Sequence, residues 1–287
     1  MNTVKRELRL FFDFTWRDWS TTLIPGLIVA TGAVKHASLP AWNVARFVPW
    51  VACFIYFFNL SNQIVGVEED RINKPDRPLP SGRITVQGAK RRWAIALAAF
   101  VGTALFNGNG HLIIETATWV TTTAFLCLTP YGGHWFGRNS VAMGTGTWAL
   151  LNGIYKTVAR PASVEERFFF VVAIWLATAI QIQDLRDIEG DTIVRRKTLP
   201  IVIGDRQSRW LISLAFLPLS YVVLWVGGII SMAPTTVSAA HVLLAYRTWH
   251  GTEAKYDHKT YMLFTYLFCY ILTLPIWCRP VLNYQAQ

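Results

Sequence analysis

Long apolar runs broken by short polar stretches dominate the chain. A hydrocarbon core about 30 Å thick is crossed by about 20 mostly apolar residues in helical form. By that measure nine stretches qualify, near 20–36, 43–66, 92–108, 112–130, 140–157, 166–184, 209–229, 233–249 and 260–279. The apolar signal is weakest over 92–108 and 233–249, so the count is eight or nine. The pattern predicts an all-α fold, a polytopic transmembrane helical bundle of about nine helices, as a single transmembrane domain over residues 1–287. Ahead of the first run, Met1–Ser20 mixes Lys5, Arg6, Arg9 and Arg17 with Glu7, Asp13 and Asp18. It reads as an amphipathic segment on the membrane surface, with no cleavable signal peptide.

Composition agrees. Only 15% of residues are charged, against about a quarter in soluble domains, and the mean hydropathy is +0.32. The net charge of +10 does not point to nucleic acid, because its distribution follows the spans. All but Lys35, Arg46, Lys156, Arg160, Arg167 and Arg279 of the 27 lysines and arginines fall in the N-terminus and the loops after spans two, four, six and eight. That asymmetry is the positive-inside pattern and predicts a cytoplasmic N-terminus with an odd number of spans. Lys156 then falls near the opposite membrane face, as a snorkelling anchor. The cysteines Cys53, Cys127, Cys269 and Cys278 lie in or at the end of apolar runs, with no zinc-like spacing.

Polar residues inside spans are costly and call for a reason. Two clusters stand out, each at the end of an even-numbered span. The first motif, 59–82, carries Asn59, Asn62, Gln63, Gly66, Glu68, Glu69 and Asp70, then Arg71-Ile-Asn-Lys-Pro-Asp-Arg-Pro-Leu-Pro-Ser-Gly82. The second, 181–204, carries Gln181, Gln183, Asp184, Asp187, Glu189 and Asp191, then Arg195-Arg-Lys-Thr-Leu-Pro-Ile-Val-Ile-Gly204. Read as continuous helix, Asn62, Gly66 and Asp70 share one stripe, as do Gln183, Asp187 and Asp191. Carboxylates on one stripe repel unless a cation joins them. Magnesium fits, since it takes oxygen ligands and shares its shell with phosphates. The bases that follow (Lys74, Arg77, Arg83, Arg195, Arg196 and Lys197) suit phosphate oxygens. Both motifs run acid, base, Leu-Pro, Gly, which suggests weak parallel repeats.

Asn62 through Asp70 to Gly82 closely resembles the first signature of the UbiA superfamily of intramembrane prenyltransferases, and Gln183 to Asp191 with Arg196–Pro200 resembles its second. The resemblance implies helices around a central cavity that binds an isoprenoid diphosphate through Mg2+. It implies metal ligands at Asn62, Glu69, Asp70, Asp184, Asp187 and Asp191, with Asn62, Asp70, Asp187 and Asp191 catalytic. Lys74, Arg77, Arg138, Arg196 and Lys197 would hold the diphosphate. Where the transferase signature has a second Asp, this chain has Gly66. The arrangement is most like the superfamily's membrane-bound terpene cyclases, known from fungi, which implies a sesquiterpene cyclase acting on farnesyl diphosphate in the endoplasmic reticulum membrane. Its active-site loops would be cytoplasmic. A prenyltransferase with an aromatic or lipid acceptor is the alternative enzyme, and an anionic-lipid transporter the alternative of another class. Among aromatics, Phe54, Tyr56, Phe57, Phe58, Phe168, Phe169, Phe170 and Trp175 are candidates for the cavity wall.

The loop charges generate a direct expectation. Single cysteines at Ser81, Ser208 and Thr252, in a cysteine-free background, are expected to label from one and the same side of the membrane. Labelling of the two motif loops from opposite sides would rule out a shared site.

Overall fold

The computed structural model describes residues 3–106 and 111–277, and among these the chain is helical with no strand. Cys278 and Arg279 lie outside the described residues. The surface segment forms α1 (Thr3–Thr15), followed by α2 (Leu23–His36). A 3-10 stretch, Ala41–Phe47, runs into α3 (Val48–Val65), which breaks at Gly66 before the short α4 (Val67–Asn73). Next come α5 (Val86–Phe106) and α6 (Ile113–Leu128). A π-helical segment, Phe136–Met143, leads into α7 (Gly144–Val158). Then α8 (Ser163–Ala179) continues as a 3-10 helix over Ile180–Arg186. The second motif's loop holds α9 (Ile188–Ile193) and α10 (Leu199–Ile203). Finally α11 (Asp205–Leu211) joins α12 (Leu217–Val226) through a π turn, and α13 (Pro234–His250) and α14 (Ala254–Trp277) complete the bundle.

Each of the nine apolar windows coincides with one of these helical segments. Among the described residues, four continuous helices are long and apolar enough to cross a membrane: Ala41–Val65, Ser163–Arg186, Asp205–Val226 and Ala254–Trp277. Leu23–His36 and Ile113–Leu128 are apolar but shorter. Large apolar side chains such as Ile95, Ile114, Leu214, Trp225 and Val242 point outward and are exposed, as expected where the solvent is lipid. Contacts run in a ring: α2, the Ala41–Phe47 stretch, α3, α5, α6, α7, α8, α12, α13, α14 and back to α2.

Helix α7 runs through this ring in contact with α2, α3, α6 and α8, and two of its glycines set how closely neighbours approach. A Cβ on Gly146 would stand 2.3 Å from the indole of Trp119, and one on Gly153 would stand 2.3 Å from that of Trp50. The two glycines are seven residues apart and so share a face of α7. Trp50 is fixed from the other side by its indole N–H, which donates to Thr116 Oγ1 at 3.0 Å.

Lys156 differs from the sequence expectation. Rather than reaching for headgroups, it donates to the fully buried Glu115 at 2.8 Å, and Asn152 donates to the same carboxylate oxygen at 2.7 Å. A carboxylate buried in an apolar bundle needs a cation and donors, and Lys156 supplies the cation. Ser208 is also buried, so the exposed Gln207 beside it is the better labelling position.

Gly153→Ala is expected to destabilise the bundle by about 1–3 kcal/mol through overpacking against Trp50. Gly102→Ala, where an added Cβ meets nothing within 4 Å, is expected to be neutral or to stabilise by up to about 1 kcal/mol through helix propensity. Thermal unfolding of the two variants in detergent checks the contrast.

Candidate active site

The first motif is built by the break at Gly66. Its N–H still closes the α3 ladder on Asn62 O at 2.9 Å, but a Cβ there would sit 3.0 Å from the same carbonyl, tighter than ordinary van der Waals contact. The chain then turns into α4, which carries the acids. Asp70 is buried, and Nη1 of Arg77 donates to both of its oxygens at 2.8 Å. Glu68 pairs outward with Arg71, and Glu69 pairs with Arg196 at 2.7 Å. The motif closes at Gly82, whose φ of +71° suits a residue without Cβ. Gly204 closes the second motif with φ +94°, so the weak repeat read in the sequence has a backbone counterpart.

The second motif is not one continuous α-helix. It tightens to 3-10 over Ile180–Arg186, leaves helical geometry at Asp187 and resumes as α9. Buried Asn139, from the π-helical segment, organises it. Its Nδ2 donates to Asp184 Oδ2 at 2.7 Å and Gln181 Oε1 at 2.9 Å, and its Oδ1 accepts from Gln183 Nε2 at 2.8 Å. Asp191 accepts from Arg196 at 3.0 Å. Arg196 therefore bridges the motifs, with Glu69 of the first on one amino group and Asp191 of the second on the other.

The motifs face one cavity of about 240 Å³. Its polar end presents Asn62, Lys74, Arg77, Arg138, Arg196 and the acids Asp184, Asp187 and Asp191. Below them lies an apolar chamber walled by Phe54, Phe58 and Trp119, with Leu150, Leu176 and Phe268 completing it. Phe54 is eight residues deeper along α3 than Asn62, about 12 Å at 1.5 Å per residue. Phe54 and Trp119 stack with ring centroids 4.4 Å apart and planes 2° from parallel, and Phe58 lies 4.9 Å from Trp119. The Trp119 N–H donates to Phe54 O at 3.1 Å, which fixes the indole orientation. Tyr261 closes the polar rim, with the Arg186 guanidinium 4.1 Å above its ring.

The charges are crowded. Burial pushes the Lys74 amine below its usual range, and the Arg77 charge adds to that. Burial likewise pushes Arg138 down, with Arg196 contributing. Burial raises Asp191 against the opposing pull of Arg196. A multiply charged anion among these cations would stabilise their charged forms. Among the described residues, no three acidic, His or Cys side chains converge to hold a metal by themselves. Magnesium asks for less, since it keeps waters and is often held by one or two carboxylates plus substrate phosphates. The donors lining the polar end are hard oxygens from Asn62, Gln183, Asp184, Asp187 and Asp191, which fits that ion. Asp187 is the open one, with a side chain 51% exposed against 5% for Asp191.

The sequence-derived residues thus separate. Asn62, Lys74, Arg77, Arg138, Arg196, Asp184, Asp187 and Asp191 line the cavity, and Glu69 lines the adjoining mouth. Asp70 lies behind Arg77, and Lys197 is exposed away from the cavity. The backbone of Lys197 instead pairs with Gly133 and Trp135, tying the loop after α6 to the second motif. Of the aromatic candidates, Phe54 and Phe58 line the wall, while Tyr56, Phe57, Phe168, Phe169, Phe170 and Trp175 do not. The sequence reading missed Asn139, Trp119, Tyr261 and Phe268. Only Asn139 carried a local signal, as an amide beside Arg138 at the start of a span.

Residues 21–272 match the UbiA prenyltransferase family. The diterpene cyclase eriG of Hericium erinaceus is 52% identical over 272 residues, covering 94% of this chain and 88% of its own. The polyprenyl transferase eriF of the same organism is 46% identical over 275 residues, covering 94% and 95%. A UbiA homolog from Archaeoglobus fulgidus, solved bound to GPP and Mg2+, superposes with a TM-score of 0.65 at 16% identity, covering 92% of this chain and 98% of its own.

Arg196→Met leaves Glu69 and Asp191 without their shared cation and is expected to cost about 3 kcal/mol. Adding Glu69→Gln to that variant is expected to recover part of the loss. Thermal unfolding of the single and double variants measures it, and full additivity would show that the bridge carries no coupling.

Proposed function

The chain belongs to the UbiA prenyltransferase family, and from that premise we propose that it is a membrane-embedded class I terpene cyclase. In this reading it ionises an isoprenoid diphosphate and closes the allylic cation on the substrate's own double bonds. The observation that carries the reading is the aromatic chamber directly beneath the charged end of one cavity. A cation born at the polar end would face the rings of Phe54, Phe58 and Trp119, which stabilise positive charge through their π faces. The rise of about 12 Å along α3 from Asn62 to Phe54 is short for an extended twenty-carbon chain and suits a coiled one.

Lys74, Arg77, Arg138 and Arg196 would receive the departing diphosphate, stabilising the negative charge that develops on it. Asp70 and Glu69 act behind them, fixing Arg77 and Arg196. Bound magnesium would neutralise further charge on the leaving group, and Asn62, Asp184, Asp187 and Asp191 are the residues that would hold it. Gly66 removes one carboxylate of the transferase pattern. The name of the relative eriG favours a twenty-carbon substrate over the farnesyl length that the motif alone suggested. The positive loops favour a cytoplasmic active-site face, and the endoplasmic reticulum is the membrane proposed. A second reading, prenyl transfer to an acceptor, is favoured by the 46% identity to eriF.

Purified protein in lipid nanodiscs, given magnesium and either geranylgeranyl or farnesyl diphosphate without acceptor, is expected to release a cyclic hydrocarbon or alcohol detectable by mass spectrometry. Asn62→Ala, Asp70→Ala, Asp187→Ala and Asp191→Ala are each expected to lower turnover at least about a hundredfold. Product that forms only when an aromatic acceptor is added would replace the cyclase reading with the transferase one.

A further inference from the structure

Helix α1 and the residues after it touch the cavity at one end and face outward at the other. Asp18, Thr21 and Thr22 line the cavity wall. The acids of α1 are paired with arginines: Glu7 with Arg92, and Asp13 with Arg83 and, at 4.0 Å, with the largely exposed Arg9 of the same helix. Arg17 pairs with Asp76 at 2.6 Å, and Arg83 also donates to the Asp76 carbonyl. Asp76 belongs to the closing turn of the first acidic motif, and Arg83 follows directly after it. Phe11 and Phe14 pack on Tyr56 of α3, with ring centroids 5.1 and 5.9 Å away.

The outward face is of another kind. Leu8, Phe12 and Trp16 recur every four residues on one stripe, and all are exposed, Leu8 to 66%. Lys5, Arg6 and Arg9 are exposed on the same helix, and the Arg17 guanidinium lies 4.8 Å from the centre of the Trp16 ring. With both acids paired to arginines, the charge that α1 leaves exposed is positive. An apolar stripe bordered by basic residues is the composition of a helix that lies in the plane of a membrane interface. The 3-10 turn Trp16–Asp18 and residues 19–22 link α1 to α2, at the end of the bundle where the acidic motifs lie.

We propose that α1 docks on anionic phospholipid headgroups of the leaflet at the active-site end. Leu8, Phe12 and Trp16 enter the acyl boundary while Lys5, Arg6 and Arg9 contact the headgroups, and docking holds the 74–84 turn through Asp13 and Arg17. The inference does not rest on the cyclase reading, because its test needs no substrate.

The test places an environment-sensitive fluorophore on single cysteines substituted for Arg6, Leu8 or Phe12, in full-length protein reconstituted into vesicles. The vesicles are neutral phosphatidylcholine, or the same with about a third phosphatidylglycerol. Labels at Leu8 and Phe12 are expected to be quenched by nitroxide-bearing lipid, and the Arg6 label by aqueous iodide. Anionic lipid is expected to shift the docking equilibrium by about fivefold for each cation engaged. Replacing Lys5 and Arg9 by Gln, with Leu8→Cys as reporter, is expected to reduce that gain to the share of the one remaining cation, Arg6. Hydrogen exchange of residues 74–84 is expected to be slower in the anionic vesicles and to lose this difference in Leu8→Asp. Iodide quenching at Leu8 equal to that at Arg6 would overturn the docking. Exchange at 74–84 that ignores both lipid charge and Leu8→Asp would overturn the hold on the turn.

Discussion

Two acid-rich helix ends can face each other across a cavity only if something prevents their repulsion. Here the means is arginine: Arg196 takes Glu69 from one motif and Asp191 from the other, and Arg77 closes on Asp70 within the first. In a medium that screens charge poorly, an acid left without such a partner would take up a proton or force the bundle apart. The arginines therefore set the spacing of the two motifs, and the cavity's polar end is the space they leave. The same groups that hold the acids apart are those aimed at an incoming anion, so structure and recognition draw on one set of charges.

A second buried charge group serves a different end. Glu115, Asn152 and Lys156 tie α6 to α7 on the side of the bundle away from the motifs, and none of the three lines the cavity. Of the two buried acid groups, one faces a space that admits a ligand, and the other is packed inside the bundle with Lys156 and Asn152 on one carboxylate oxygen. Burial alone does not mark a site. What distinguishes the candidate site is a group of cations and acids that faces an open, apolar volume.

Much of this was legible in the sequence because charge in an apolar chain is informative by its rarity. Asn62, Arg77, Arg138, Asp187, Asp191 and Arg196 were named from pattern and resemblance, and all line the cavity. The stripes drawn through Asn62–Asp70 and Gln183–Asp191 assumed unbroken helices, and the chain leaves that geometry at Gly66 and Asp187. Helical periodicity holds no record of such breaks: the first falls at a glycine that the stripe treated as one more helical position, and the turn before the second is held by Asn139 from another segment. The wall was less legible still. Trp119 and Phe268 look like any other aromatic in an apolar span, and their positions depend on which helices become neighbours. Lys156 was misread for the same reason, because its partner lies 41 residues away on another helix.

The keying of Trp119 onto Gly146 has a consequence for how this scaffold can diversify. On α7 the contact offers no latitude, since any side chain at position 146 collides with the indole. On α6 it offers a great deal, because each smaller residue at position 119 adds room to the chamber and leaves the glycine unstrained. Drift in cavity shape therefore has an order: position 119 has to shrink before position 146 can accept a side chain, because the indole is what a Cβ there would meet.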